Sequence, residues 1–546
     1  MKRTSFGLNQ YWIAITLALL VVIGCSTSIA TAQVVAALRA PKKPADSDAE
    51  KYGVWTEVKD EAGENRQQMR LRVYPKAASV PAFKHRLIPA ASERVDGNSA
   101  LFYLKAIGFF EQRNAREQLT KLERKWRDEA TEEARDWGDY PPYTWHDAAP
   151  ESLPMDEVRQ YLKLLSFQPE FLYDAARRTR FEHDRAIERE TNPMGYLLPS
   201  IQQHREIARI QTVRCRFAIA EGRIDDAVEV VGQMMALGRH LGTDEFLVSC
   251  LVGAAVHGIG VKNGLVLSQH PDTPNLYWAI AACPEPAIDL SRAFAMERNF
   301  LMLQFPIFKE VTEAIRPPEF WVSFLQRFTK FGNEYNQLYG EELKLEWDPF
   351  HAATVIAKDY PTARDFLHEV VGMSEQQLDQ YPKAQVVFLA IVKYYELAQD
   401  EGLKQIVVPF VSRSKDDESE LIKRWSSRFC PNPGQLILSK SFLPIGELFV
   451  PATRQVIEAK TRVDQQQNLW QTIEALRMTA AENGGKFPDS LDQLVVPAPL
   501  DPATNLPFKY EHDGGVAIVR AKKIGWQAYE IKLELANQDD QKKEVE

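Results

Sequence analysis

Two apolar stripes separated by one glycine constrain this chain most. Across residues 204–242, Ile210, Val213, Phe217 and Ala220 recur at steps of three and four, the spacing of one face of an α-helix. After a break, Ile224, Ala227, Val228, Val231, Met235 and Leu241 form a second stripe. Gly222 stands in the break, where a positive φ is cheap for glycine and a helix can end. Such a pattern predicts two helices folded back on each other. The small side chains near the turn let the backbones approach closely.

The turn from Ala220 through Gly222 and Ile224 to Ala227 resembles the inter-helix turn of a tetratricopeptide repeat, with the alanine packing under the neighbouring helix. One convincing copy is present, whereas repeat stacks need three or more. A single helical hairpin inside a larger bundle is therefore expected.

Helical periodicity recurs along the chain. Ala100, Leu101, Leu104, Ile107 and Phe110 mark a helix, with Asp96 or Asn98 as its cap. Residues 112–136 are charged and helix-favouring. Pro141, Pro142, Pro150 and Pro154 break the pattern and predict a surface loop over 137–154. A long apolar helix is expected over 244–269, where Ala254/Gly258 and Gly260/Gly264 put small residues one turn apart. Trp321, Phe324, Phe328, Phe331 and Tyr335 form an aromatic stripe, read as a core seam ahead of a lipid or ligand groove. Further helices are expected over 384–397 and 436–464, and another ends after Ala480 at Asn483, Gly484 and Gly485.

Strand patterns are few. Residues 69–74 alternate at period two, 83–88 do so weakly, and together they predict a hairpin-like opening. Residues 516–519 and 528–533 read as terminal strands. The expected class is mainly α: antiparallel helical hairpins in a bundle, partly tetratricopeptide-like, with a small C-terminal α+β module. The expected segments are a signal (1–32), a flexible linker (33–68) and a β-rich opening (69–97). A helical domain (98–270), a second helical region (271–467), the α+β module (468–534) and a charged tail (535–546) follow.

The first residues carry an address. Lys2 and Arg3 precede a 14-residue uncharged run from Tyr11 to Gly24, and no acid occurs before Asp46. This is the layout of an export signal, short of the ~20 residues that span a bilayer comfortably. Ala30 and Ala32 fit cleavage before Gln33. Val22 to Cys25 resembles a bacterial lipobox, which implies lipidation of Cys25. Both readings stand. The expected location is the periplasm or cell envelope, with membrane contact only through the signal or the lipid anchor.

The chain carries 66 basic and 75 acidic residues, a net charge of −9, which argues against nucleic acid as a partner. Besides Cys25 there are Cys215, Cys250, Cys283 and Cys430. Their spacing forms no disulfide framework and no Cys-x-x-Cys pair, so buried free thiols are expected ahead of disulfides.

After Leu469 the string Phe487, Pro488, Ser490, Leu491, Leu494, Asp501, Pro502 and Tyr510 resembles the globular end of major type II secretion pseudopilins over about 468–534. The resemblance implies a long helix leading into a small sheet, and calcium near the loop, with Asp501 and Asp513 the nearest matches. In that family the helix opens the chain and builds a filament, whereas here more than 400 residues precede it. The whole chain is also similar to exported helical proteins of planctomycete-type bacteria. The segments that carry this are Gly97 to Ala106, Ala218 to Ala227, Asn275 to Ala279, Leu476 to Gly485 and Val496 to Pro502. That group has no assigned activity, so no catalytic residue follows.

The search for chemistry returns absences: no Gly-x-Ser-x-Gly elbow, no phosphate-binding loop, no His-Glu-x-x-His. Three sets remain, each weaker than a structural explanation. Trp145, His146 and Asp147 lie in the proline-rich loop with Tyr140 and Tyr143. Glu182, His183 and Asp184 are adjacent. His257 lies in the apolar helix. Asp416, Asp417 and Glu418 read as a solvated loop ahead of a calcium site. No catalytic, cofactor or metal residue is assigned. The expected function is a non-enzymatic helical scaffold for an envelope protein partner. The alternatives are an exported hydrolase or glycan-processing enzyme near Trp137–Asp147, and a component associated with a secretion apparatus.

Overall fold

The computed structural model describes residues 52–59, 63–108, 113–190, 199–339, 348–413, 419–431, 440–448, 453–513 and 515–536. The signal, Cys25, the acidic residues 416–418 and the end of the tail lie outside them. The described part is mainly helical, with 18 α-helices and a small strand-bearing C-terminal region, as expected.

Strands β1 (Thr56–Lys59), β2 (Asn65–Val73) and β3 (Val95–Asn98) come first. Helices α1 (Ala100–Ala106), α2 (Arg113–Glu129), α3 (Glu132–Trp137), α4 (Met155–Leu164) and α5 (Gln168–Ala176) follow, then β4 (Arg178–Arg180). Next stand α6 (Pro199–Ala220), α7 (Ile224–Leu241), α8 (Leu247–Leu267), α9 (Tyr277–Ala281) and α10 (Ser291–Glu297). A second group comprises α11 (Phe300–Gln304), α12 (Pro318–Tyr339), α13 (Pro349–Glu369), α14 (Glu375–Leu378), α15 (Lys383–Val407), α16 (Glu420–Phe429) and α17 (Ile445–Leu448). The chain closes with α18 (Thr453–Glu482), β5 (Leu500–Asp501), β6 (Leu506–Pro507), β7 (Lys509–Asp513), β8 (Val516–Arg520) and β9 (Tyr529–Leu535).

These elements form two compact units. The sheet-bearing unit draws on 42–185, 198–293 and 455–546. Its sheet runs β1-β2-β9-β8-β7. β2 and β9 pair in parallel, with Met69 opposite Ile531 and Leu71 opposite Leu533. The other neighbours are antiparallel. Alternation along β2 and β9 turns Met69, Leu71, Val73, Ile531 and Leu533 inward. There they share one core with Val231 and Met235 of α7, Leu265 of α8, and Trp470, Ile473 and Leu476 of α18.

The expected hairpin is α6–α7. Gly222 adopts φ +69 at its turn, the left-handed conformation that ends a helix cheaply for glycine. Against α7 lies α8, apolar enough and long enough to cross a membrane, yet mostly buried in this core. Glycine makes the contact possible: a Cβ added at Gly238 would lie 2.6 Å from the His257 backbone nitrogen and 2.8 Å from the Gly253 carbonyl oxygen.

The all-helical unit, 294–454 with 186–197, has an aromatic core. Trp321, Phe324 and Phe328 of α12 are buried and meet the Phe388 ring of α15 at 6.2, 4.8 and 5.1 Å. The stripe is thus a core seam for these three residues; the side chains of Phe331 and Tyr335 lie outside those described. A second aromatic group joins Phe366, Tyr394, Trp425 and Phe429.

Several expectations are corrected. Residues 83–88 form no strand, and β2 pairs with β1 and β9 instead of making that hairpin. The expected linker contains β1 and the start of β2, whose side chains are mostly exposed or half-buried and so show no apolar alternation. The units do not follow the expected breaks after 270 and 467, because the sheet-bearing unit is assembled from three separate stretches. As expected, Cys215, Cys250, Cys283 and Cys430 are buried free thiols.

Substituting Gly238→Ala raises intrinsic helix propensity by about 1 kcal/mol but drives a methyl into the α8 backbone. We expect a net loss of about 1–3 kcal/mol in urea unfolding. Gly97→Ala, whose Cβ would meet Arg178 at an ordinary 3.7 Å, serves as the control.

Candidate functional site

A cleft of about 460 Å³ opens in the sheet-bearing unit beside the α6–α7 turn. One wall is the chain leaving β2, from Lys76 to Val80, continued by Lys84 and His85. The second is the turn from Gly222 to Asp225, and the third the segment from Asp272 to Asn275 after α8. Both charge signs line it. His85 Nδ1 lies 3.4 Å from Asp225 Oδ1, and Lys76 Nζ donates to the Pro271 carbonyl at 3.0 Å.

Asn275 ties two walls together. Its Nδ2 donates to the Lys76 carbonyl at 3.2 Å and to the Glu474 carbonyl at 2.8 Å. Ser79 Oγ donates to the Asn275 carbonyl at 3.4 Å, and Ala78 pairs with Asn275 as a parallel bridge. Beneath the walls lies an ion pair with no solvent exposure, Glu474 with Arg477. Arg477 Nη1 donates to both Glu474 oxygens at 2.9 and 2.8 Å, Nε to the Tyr74 carbonyl at 3.1 Å and Nη2 to the Thr273 carbonyl at 3.1 Å. Glu474 accepts further from Ser268 Oγ at 2.7 Å and from the Leu276 amide at 3.0 Å. One pair thus pins the roots of two cleft walls.

The sequence-selected loop is placed elsewhere. Trp145 is buried, with ring contacts to Trp126 at 5.2 Å and Tyr161 at 5.6 Å. Tyr143 meets Tyr140 at 5.3 Å and His146 at 6.1 Å. Asp147 accepts from Lys262 Nζ at 2.7 Å, and Arg216 Nη1 donates to the Ala148 carbonyl. Burial, with the charge of Arg209, pushes His146 down to about 4. Two acids unseen in the sequence bear on Tyr143: Glu123, pushed up to about 7 by burial and by the charge of Glu206, and Glu206 itself. Neither His146 nor Asp147 lines the large cleft.

The Glu182–His183–Asp184 triplet separates. The His183 ring turns inward against Phe181 at 4.9 Å and His204 at 5.7 Å, while Glu182 and Asp184 are exposed. Burial, then Arg185, pushes His183 down to about 4. His257 is buried, 3.3 Å from the Met235 carbonyl and 3.1 Å from Gln467 Oε1. Those acceptors raise its pKa less than burial and Arg239 lower it, to about 4. His240 behaves alike: its Nδ1 accepts from the Tyr103 hydroxyl at 2.8 Å, its Nε2 donates to the Arg178 carbonyl at 3.0 Å, and burial and Arg239 push it down to about 4.

Asp501 does not fit a calcium ligand. Its Oδ1 accepts from Gln465 Nε2 at 2.8 Å and the Ala503 amide at 2.9 Å, and its Oδ2 from the Lys522 amide at 2.7 Å. Calcium needs six to eight oxygen ligands, whereas these partners are N–H donors. Asp513 sits at the exposed end of β7. Among the described residues no group of three or more His, Cys, Asp or Glu could hold a metal ion. Comparison with protein-family models, curated proteins and solved structures returns no match.

Arg477→Met strands a buried carboxylate and is expected to cost about 3–5 kcal/mol. Glu474→Leu with Arg477→Met together should cost less than the sum of the single changes, measured by a double-mutant cycle in urea. For His257, the folded pKa of about 4 lies below the ordinary 6.5. The unfolded chain therefore takes the proton first, so this contribution is complete above pH 6.5 and is lost as pH falls toward 4. The slope is at most about 1.4 kcal/mol per pH unit. Glu123, pushed up to about 7, opposes this overall, so the readout is the difference in slope between the wild type and His257→Gln.

Proposed function

We propose that this chain is an exported cell-envelope protein that presents its cleft to an extended segment of a partner protein. The observation that carries the proposal is the cleft itself. One wall is extended chain, Lys76 to Val80, and its backbone is held in place by Asn275 and Arg477 before any partner arrives. Pre-organised walls cut the ordering cost that a binding surface otherwise meets. Extended backbone beside polar side chains of both signs suits main-chain recognition with side-chain selection. The basic, then apolar, opening of the sequence supports export.

Asp147 held by Lys262 and His146 in contact with Tyr143 support a structural role for the proline-rich loop ahead of hydrolysis. The secretion reading rests on α18 followed by β7–β9. That helix is buried on every side from Gln467 to Ala480, which favours a core role over filament packing.

A photo-crosslinking residue at Val80, exposed at the cleft rim, should give adducts with one defined envelope protein in cells. The same residue at Val407, equally exposed in the all-helical unit, should not. Equal, diffuse labelling from both positions contradicts the proposal. Mass spectrometry of the cell-derived chain should find a start at Gln33 or a lipidated Cys25. Intact Met1 on soluble cytosolic protein would overturn the export step.

A further inference from the structure

The five-stranded sheet ends on β7, which has a neighbour on one side only. Every residue of β7 pairs with β8, from Lys509 opposite Arg520 to Asp513 opposite Val516. Among the described residues, no main-chain hydrogen bond joins Lys509–Asp513 to anything but β8. In such an edge strand alternate N–H and C=O groups point away from the one neighbour, and they form a template for another strand.

Burial alternates along β7. Tyr510 and His512 are half-buried, whereas Lys509, Glu511 and Asp513 are exposed on the opposite face. The half-buried pair anchors the strand: the Tyr510 hydroxyl donates to the Pro488 carbonyl at 2.7 Å, and the His512 ring lies 6.0 Å from Phe487. Of the exposed charges, Glu511 is matched within the chain. Arg520 Nη1 lies 2.6 Å from its Oε1, and Arg520 Nε lies 2.6 Å from Glu530 Oε2. Lys509 and Asp513, two residues to either side of Glu511, are not matched. Among the described residues neither makes an ion pair or a side-chain hydrogen bond.

We propose that β7 pairs antiparallel with β7 of a second copy of this chain, on a two-fold axis through Glu511, joining two five-stranded sheets into one. Lys509 then stands opposite the second copy's Asp513, and Asp513 opposite its Lys509, so the two unmatched charges match each other. Each Glu511 keeps its own Arg520. Centring the pair on Tyr510 would set Lys509 against a Glu511 already held and leave Asp513 over. In-register parallel pairing would set like charge on like. Opposite charges directly across strands favour pairing and like charges oppose it, and a two-fold contact requires this kind of self-complementary surface. A strand this short buries little area, which places the contact among weak interfaces, with Kd about 10–100 μM. No residue of β7 lines the cleft, so the inference is independent of what the cleft binds.

Sedimentation of the purified full chain from about 1 to about 300 μM should show a monomer–dimer equilibrium in that range, weakened by added salt. Lys509→Glu or Asp513→Lys changes both symmetric pairs at once and should weaken it about tenfold. The two swaps combined in one chain should restore it. All are exposed positions, so folding is not at stake. Directly opposite Cα atoms lie about 4.5–5.5 Å apart, within the range a disulfide bridges. Glu511→Cys, in a Cys25→Ser background because the other four thiols are buried, should therefore crosslink to itself under mild oxidation. Asp513→Cys, about 14 Å from its own counterpart, should not, and neither should Val58→Cys on β1 at the opposite edge. A chain that stays monomeric throughout, a dimer indifferent to both charge swaps, or a crosslink at Val58 instead of Glu511 overturns the proposal.

Discussion

The sheet-bearing unit depends on one ion pair with no access to water, Glu474 with Arg477. Two charges taken into an interior are tolerated only when their remaining hydrogen-bonding capacity is met. Here it is met by chain segments far apart in sequence: the end of β2 through Tyr74, the end of α8 through Ser268, and the following loop through Thr273 and Leu276. Apolar burial alone could slide these segments against one another. Directional bonds to fixed carbonyls and amides leave one arrangement in which all partners are satisfied. Two of the three cleft walls inherit that rigidity, because they belong to the same segments.

The pairing of β2 with β9 makes the unit discontinuous. Strands separated by more than 450 residues lie side by side in parallel, so the sheet closes only after the all-helical unit has been synthesised. α18 then delivers β7, β8 and β9 to β2 while filling the space between the sheet and α7–α8. Its sequence is rich in polar residues for so buried a helix. Each finds a local or distant partner: Gln465 donates to Asp501, Asn468 to the Leu500 carbonyl, and Thr472 and Thr479 to carbonyls one turn back.

That helix shows why part of the fold was legible and part was not. The α6–α7 hairpin obeys a local rule, two stripes and a glycine, and it stands where the pattern put it. The aromatic stripe likewise reads correctly through Phe328, because three buried rings at helical spacing need only a neighbour to pack on. α18 has no single apolar face, so periodicity could reveal its end at Asn483 but not its burial. Arg477 looked like an ordinary helix residue; only the carbonyls of Tyr74 and Thr273 explain it, and they come from 403 and 204 residues away. The cleft was illegible for the same reason, since its three walls come from separate stretches of the sequence that meet only in the folded chain. The His146 loop attracted notice because chemistry-bearing residue types cluster there in sequence. In space Lys262 and the ring contacts absorb them.

The electrostatics of the sheet-bearing unit follow one rule. Each of the four histidines pushed down to about 4 has an arginine bearing on it: Arg209 on His146, Arg185 on His183, and Arg239 on both His240 and His257. Fixed positive charge is kept in guanidiniums, which cannot shed it, and the imidazoles beside them stay neutral and act as hydrogen-bonding groups. Where the guanidinium has an acid, as Arg185 has Asp244, that acid offsets part of the push on His183. For His240 and His257 burial acts first and the charge of Arg239 adds to it. The neutral imidazoles then serve as hydrogen-bonding groups between elements, His240 to Tyr103 and the Arg178 carbonyl, and His257 to Gln467.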